Sequence, residues 1–117
     1  MQPRMYQILV PTVRRSNGRP YRLRYHRVWD AQVRAISGGL TILPPTKGQW
    51  VNPADGELFV ERMIPVQVVA TPEQMSKIAA MTCQYYDQLA ILYWEVSASV
   101  TFVTLDESYT IYRGSKA

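Results

Sequence analysis

Thr71-Pro72-Glu73-Gln74 constrains this chain more than any other stretch. A threonine at a helix start accepts a hydrogen bond from a backbone amide inside the first turn, and a glutamine three residues on returns one. Proline fits the first helical position because the N–H it lacks has no intrahelical partner there. Downstream, Met75, Ile78, Ala79, Thr82, Tyr86 and Leu89 fall at offsets 0, +3, +4, +7, +11 and +14. One face at the helical period results, so the spacing predicts a helix over 72–88 that packs on a sheet.

An earlier helix is signed more weakly. Trp29, Val33 and Ile36 recur at i, i+4 and i+7, with Val28, Ala31 and Ala35 beside them and Gly38-Gly39 as the stop, which predicts a helix from about 24 to 37. No capping residue marks its start. Around the helices lie strand signals. Tyr6 to Val10 is a short apolar run closed by Pro11, and Leu40 to Leu43 is rich in β-formers before Pro44-Pro45. Gln49 to Val51 resumes an extended pattern before the turn cluster Asn52 to Gly56, and a returning strand is expected over Leu58 to Ala70. Within it, Pro65 removes one ladder donor and predicts an edge, a bulge or a break. Ile91 to Val103 alternates in part and reads as a last, long strand bent near Ser97-Ala98-Ser99, and Tyr109 to Tyr112 as a short strand in the tail 106–117.

The order β-α-β-β-α-β, folded with right-handed crossovers, gives an α+β chain of ferredoxin-like type: a four-stranded antiparallel sheet with both helices on one face. The other face then lacks a cover. Aromatic Tyr93, Trp94 and Phe102 near the last strand suit a second copy there, so a homo-oligomer is expected.

With 117 residues the chain suits one domain spanning 1–117, and 47% hydrophobic against 19% charged residues is ordinary globular composition. No apolar run approaches the roughly 20 residues of a membrane-crossing helix, so no membrane partner is expected and the cytoplasm is the expected compartment. The single Cys83 makes no internal disulfide, and with His26 the one histidine no His/Cys zinc cluster assembles within a chain. No cofactor is expected.

Charge is distributed unevenly. Residues 1–34 hold eight arginines against Asp30 alone, net +7, while residues 35–117 are net −3. Within 14–27, a loop and helix start, Arg14, Arg15, Arg19, Tyr21, Arg22, Arg24, Tyr25 and Arg27 come without one intervening acid, and Asn17-Gly18 marks a turn. Arginine presents a planar fork of donors to phosphate or carboxylate, and tyrosine stacks on bases, so these eight residues are the candidate binding site for an acidic ligand: a nucleotide, a nucleic acid or an acidic protein surface. The competing reading is a solvated loop whose arginines pair with acids elsewhere in the chain or in a partner copy.

Other chemistry is thinner. His26 titrates nearest neutrality, with Asp30 four residues on, but a surface or helix-start histidine is the commoner case. Asp55, Glu57 and Glu61 around the middle hairpin fit turn chemistry and solubility as well as a metal or acid–base role. Cys83 has no local histidine and reads as an inert thiol, and Trp50 reads as a hairpin residue covering the core rather than a ligand platform. Phosphate-binding loops, dinucleotide fingerprints, nucleophile elbows and zinc-protease motifs are absent. The chain is thus expected to be non-enzymatic, with a small enzyme using His26 or Glu61, or a structural self-assembling protein, as the alternatives.

Gly38-Gly39-Leu40-Thr41-Ile42, then Gly48-Gln49-Trp50, Asp55-Gly56 and Glu61, followed by a capped second helix and an apolar last strand, resemble small ferredoxin-like proteins of unknown function from bacteria and phages. The resemblance spans about residues 6–103 and leaves the arginine-rich insert unmatched. It implies the fold and suggests a phage or mobile-element accessory protein, without an activity.

Overall fold

The computed structural model describes residues 2–103 and Leu105. Strands β1 (Arg4–Pro11), β2 (Thr41–Ile42), β3 (Thr46–Val51), β4 (Leu58–Ala70) and β5 (Tyr93–Ser97) and helices α1 (Leu23–Ser37) and α2 (Pro72–Tyr85) follow in the order β1-α1-β2-β3-β4-α2-β5. All strand pairs are antiparallel. β4 carries β1 along one side, while along the other β2 pairs with Val66 and Gln67 and β3 pairs with residues 58–63. The expected second strand is therefore present in two pieces, split at Leu43-Pro44-Pro45, where two successive residues lack the N–H a ladder needs. Counting them as one interrupted edge, the order edge-β4-β1-β5 is the ferredoxin-like α+β arrangement.

Pro65 lies opposite that gap. Its partner on β1, Leu9, turns its amide to the Leu92 carbonyl (3.1 Å) beside β5, so Pro65 faces its missing donor away from β1; its carbonyl accepts from Leu43 N at 2.9 Å. A mid-strand proline is accommodated because the donor it lacks points at the broken edge.

Alternation on β1 and β4 places Tyr6, Ile8 and Val10 beside Val68, Val66 and Ile64 on one face. Trp29 and Val33 of α1 and Met75 and Ile78 of α2 pack there, with Tyr86 just beyond α2, forming one buried cluster. Thr82 is polar yet buried on this face. Its hydroxyl donates to the Ile78 carbonyl (2.6 Å) and accepts from Trp29 Nε1 (2.9 Å), so neither group is left unpaired. The capping box forms as the sequence predicts: Gln74 N donates to Thr71 Oγ1 and Thr71 N to Gln74 Oε1, while Gln74 Nε2 reaches the Ile36 carbonyl at the end of α1. No described helix lies on the opposite sheet face, where Gln7 and Gln67 pair across the strands and Trp94 stands beside Gln7; Tyr93, expected there too, instead pairs with Ile8 on the helix side and meets Tyr6 edge-on.

Three expectations change. α2 ends at Tyr85, so Leu89 leaves the apolar face and is 85% exposed. β5 is only five residues long because Ser97 folds the chain onto Ser99 through bonds from its hydroxyl to Ser99 O (2.9 Å) and from Ser99 N to its hydroxyl (3.1 Å), diverting it from β1. Trp50 does not cover the core: it stacks on Phe59 across the β3–β4 hairpin (4.4 Å, 11°) and is 48% exposed. The tail strand expected at Tyr109 to Tyr112 falls outside the described residues.

Candidate functional site

Between β1 and α1 the chain makes a tight loop. Val13 and Pro20 bridge, Arg14 N donates to Arg19 O and Gly18 N to Arg14 O (both 2.8 Å), and Asn17 Oδ1 accepts from Arg19 N. Gly18 holds φ at +69°, a conformation that Asn-Gly turns favour and side chains resist. This loop lies against the C-terminal end of α2, because the two helices run antiparallel and bring residues 21–29 against 82–86.

The last carbonyls of a helix lack intrahelical donors and carry the negative end of its dipole. Here the arginine- and tyrosine-rich segment supplies the donors. The Tyr21 hydroxyl donates to Tyr86 O (2.7 Å), the Tyr25 hydroxyl to Tyr85 O, and Arg15 Nε to Asp87 O (3.0 Å), with Arg15 Nη2 3.5 Å from the Asp87 carboxylate. Asp87 accommodates this at φ +49°, which a short polar side chain tolerates. Tyr85 returns a bond to Tyr25 O at 2.8 Å.

Of the eight candidate residues, Tyr21 and Tyr25 thus cap α2, and Arg15 ties down Asp87 just beyond it. Tyr21 is buried rather than presented, and its ring stacks on Tyr25 (4.7 Å, 17°), which stacks in turn on Tyr85 (4.2 Å, 24°). The Arg14 guanidinium sits 4.7 Å from the Tyr21 ring centre and 5.6 Å from that of Tyr25, a cation–π arrangement that holds it in place without neutralising it. Arg19, Arg22, Arg24 and Arg27 are exposed. Among the described residues only Arg4, with Glu95, and Arg15, with Asp87, form ion pairs. Among the described residues, pairing with acids therefore accounts for Arg15 and not for Arg14, Arg19, Arg22, Arg24 or Arg27.

An open cleft of about 340 Å³ lies at this junction, lined by Arg14, Arg22, Arg24, Tyr25, Val28 and Tyr85. Arg22 is the N-cap of α1 and makes no side-chain cap bond, and no acid occupies the first turn. Tyr85 and Val28 were not singled out from the sequence. The signal available was that antiparallel helices place the end of one beside the start of the other, which aligns Tyr85-Tyr86 with Tyr25-His26.

His26 faces inward. Its Nδ1 is hydrogen-bonded to the Tyr86 hydroxyl at 2.6 Å, and burial lowers its pKa below the usual histidine value, with Asp30 offsetting part of the shift. Burial also raises the Tyr86 hydroxyl. Glu61 stands far along the chain opposite Gly48 in the exposed β3–β4 hairpin, and Asp55 accepts from Glu57 N in the turn. Among the described residues no three His, Cys, Asp or Glu side chains gather as a metal site. The Cys83 thiol is half-buried and donates to Gln88 O. No described helix is long and apolar enough to cross a membrane.

No protein-family model matches the chain, and no curated protein matches it by sequence. Its fold is shared with solved structures. The periplasmic divalent cation tolerance protein CutA from Archaeoglobus fulgidus superposes with a TM-score of 0.62 at 10% identity, covering 87% of this chain and 88% of that one. The divalent cation tolerance protein CutA1 from Thermus thermophilus gives 0.59 at 13%, covering 86% and 88%. At these identities the likeness establishes the ferredoxin-like fold.

Proposed function

We propose that the chain is a self-associating binding module that takes an acidic ligand at the junction of α1 and α2. The carrying observation is the cleft in which Arg14, Arg22 and Arg24 converge while none of them is paired with an acid among the described residues. Uncompensated guanidinium groups around a concavity attract and orient anions, and the tyrosine stack beneath fixes the wall from which they project. Arg19, at the loop tip, and Arg27, one turn along α1, widen the positive field.

Self-association rests on a separate surface. The sheet face without described helices, which carries Trp50, and Val51, Leu58 and Val60 on the other face of the hairpin offer apolar area that the described residues do not cover. A second copy of the chain is the occupant we assign to it. A cytoplasmic accessory role, in a phage or mobile element, is the setting that the resemblance suggests, and a reducing compartment suits the free Cys83 thiol.

Binding of labelled single-stranded oligonucleotide, a nucleotide panel and polyglutamate at two salt concentrations tests the anion site. Wild type is expected to bind at least one of them, with affinity falling as salt rises, and the triple variant Arg14/Arg22/Arg24→Ala to lose binding while staying folded. Wild type that binds none of these probes at low salt overturns the acidic-ligand reading.

A further inference from the structure

The cleft is not uniformly basic, and its mixed lining selects among anions. Arg14, Arg22 and Arg24 make one part of the lining; Tyr25, Val28 and Tyr85 make the other. Tyr25 is sandwiched between Tyr21 and Tyr85, so both its faces are taken. Tyr85 has one face on Tyr25 and meets Tyr86 edge-on (5.3 Å, 89°); among the described residues no ring or guanidinium stacks on its other face. A ligand that fills the cleft therefore meets cations together with a flat aromatic surface and an aliphatic neighbour.

Resting on the acidic-ligand reading above, we infer that this site takes a mononucleotide-sized ligand, its phosphate held by Arg14, Arg22 and Arg24 and its base stacked on Tyr85. Size agrees: about 340 Å³ is at the small end of ligand pockets and holds one nucleotide. The start of α1 agrees as well. Its first-turn N–H groups receive no side-chain acceptor, and no acid lies in that turn to repel a phosphate placed beside Arg22. A polymer fits less well. Binding a nucleic-acid strand needs a cationic track spanning about 4–16 nucleotides. Outside residues 1–34, the described chain offers Lys47, Arg62 and Lys77 against Asp55, Glu57, Glu61, Glu73, Asp87 and Glu95, so beyond the loop and α1 the cations are outnumbered by acids.

Calorimetric titration of the full chain with pyrophosphate, adenosine, adenosine mono- and triphosphate and a 12-nucleotide oligomer decides it, with Tyr85→Leu and Tyr85→Phe beside wild type. The expected result is one nucleotide per chain, bound more tightly than either pyrophosphate or adenosine. The oligomer should bind no more tightly than the triphosphate. Loss of one base–aromatic stack should weaken the nucleotide roughly 5- to 100-fold in Tyr85→Leu, leave pyrophosphate within about twofold, and leave Tyr85→Phe like wild type. Should Tyr85→Leu not fold, the wild-type ratios decide alone. Pyrophosphate equal to nucleotide, or an oligomer more than about 100-fold tighter, overturns the mononucleotide assignment and leaves the acidic-ligand reading standing. Silence from every anion, including polyglutamate, overturns both.

Discussion

Two aromatic clusters in this chain have similar stacking geometry and opposite surroundings. Tyr25 and Tyr85 stack at 4.2 Å and 24° where the helices meet, while Trp50 and Phe59 stack at 4.4 Å and 11° on the β3–β4 hairpin. At the helix junction every tyrosine hydroxyl has a partner: Tyr21 and Tyr25 on the last carbonyls of α2, Tyr85 on Tyr25 O, Tyr86 on His26. The junction is thus tied by directional bonds as well as by buried area. Among the described residues the hairpin pair has no further ring partner, and Trp50 has half its surface in solvent. Stacking therefore does not mark the core; the fate of the polar ends does, since a buried tyrosine needs a partner for its hydroxyl.

The largest test of this contrast removes the centre of the junction. Tyr86 is fully buried and touches the Tyr21, Tyr25, His26, Trp29 and Tyr85 rings. Tyr86→Ala leaves a large cavity and is expected to cost about 3–5 kcal/mol, read as a lower midpoint in urea with unchanged slope. A loss below about 1 kcal/mol would mean that the junction is peripheral to stability.

A smaller effect comes from pH. The His26 pKa lies below its usual value of 6.5 because burial disfavours the charged ring, and Asp30 opposes this only in part. The unfolded chain therefore takes up the proton first as pH falls. The contribution of His26 is complete above about 6.5 and is lost progressively as pH drops below that value toward the folded-state pKa. Asp30 is shifted upward by burial and acts with the opposite sign, so the comparison with a His26 variant isolates the histidine's part. Urea midpoints from pH 7.5 to 5 should fall in wild type and flatten in His26→Gln; parallel curves for the two would remove His26 from the account.

How far the sequence discloses all this depends on whether a residue's partner is near it in the chain. The α2 capping box and core face were legible because Thr71 and Gln74, and Met75, Ile78 and Thr82, interact at helical spacing. Strands β1 and β4 were legible from an apolar run closed by Pro11 and from the turn cluster Asn52 to Gly56 that sends the chain back, both local signals. The roles of Arg15, Tyr21 and Tyr25 were not: each bonds to a carbonyl 60 to 72 residues away, exposed only because α2 ends there. The same composition that suits phosphate and bases also suits a helix C-terminus, and only the antiparallel helix pairing separates the capping residues from Arg14, Arg22 and Arg24. The division of the edge strand was half legible, since Pro44-Pro45 announces a break but not that both halves stay on β4.

The smallest predicted change in stability is at Trp50, where a tryptophan would ordinarily be expected to matter most. Trp50 is 48% exposed and, among the described residues, its ring stacks only on Phe59, so Trp50→Ala should shift the unfolding midpoint of the isolated chain by no more than about 1 kcal/mol, the scale of one aromatic pair. Its effect should surface in mass instead. Trp50 and its partner Phe59 alternate with Val51, Leu58 and Val60 and so lie on the sheet face assigned to a second copy, and light scattering at micromolar concentration should report an oligomer for wild type and a lower mass for Trp50→Ala. A stability loss as large as that of Tyr86→Ala would place the hairpin within the folding core and erase the contrast. A wild type that scatters as a monomer would leave the exposed hairpin without the partner proposed for it.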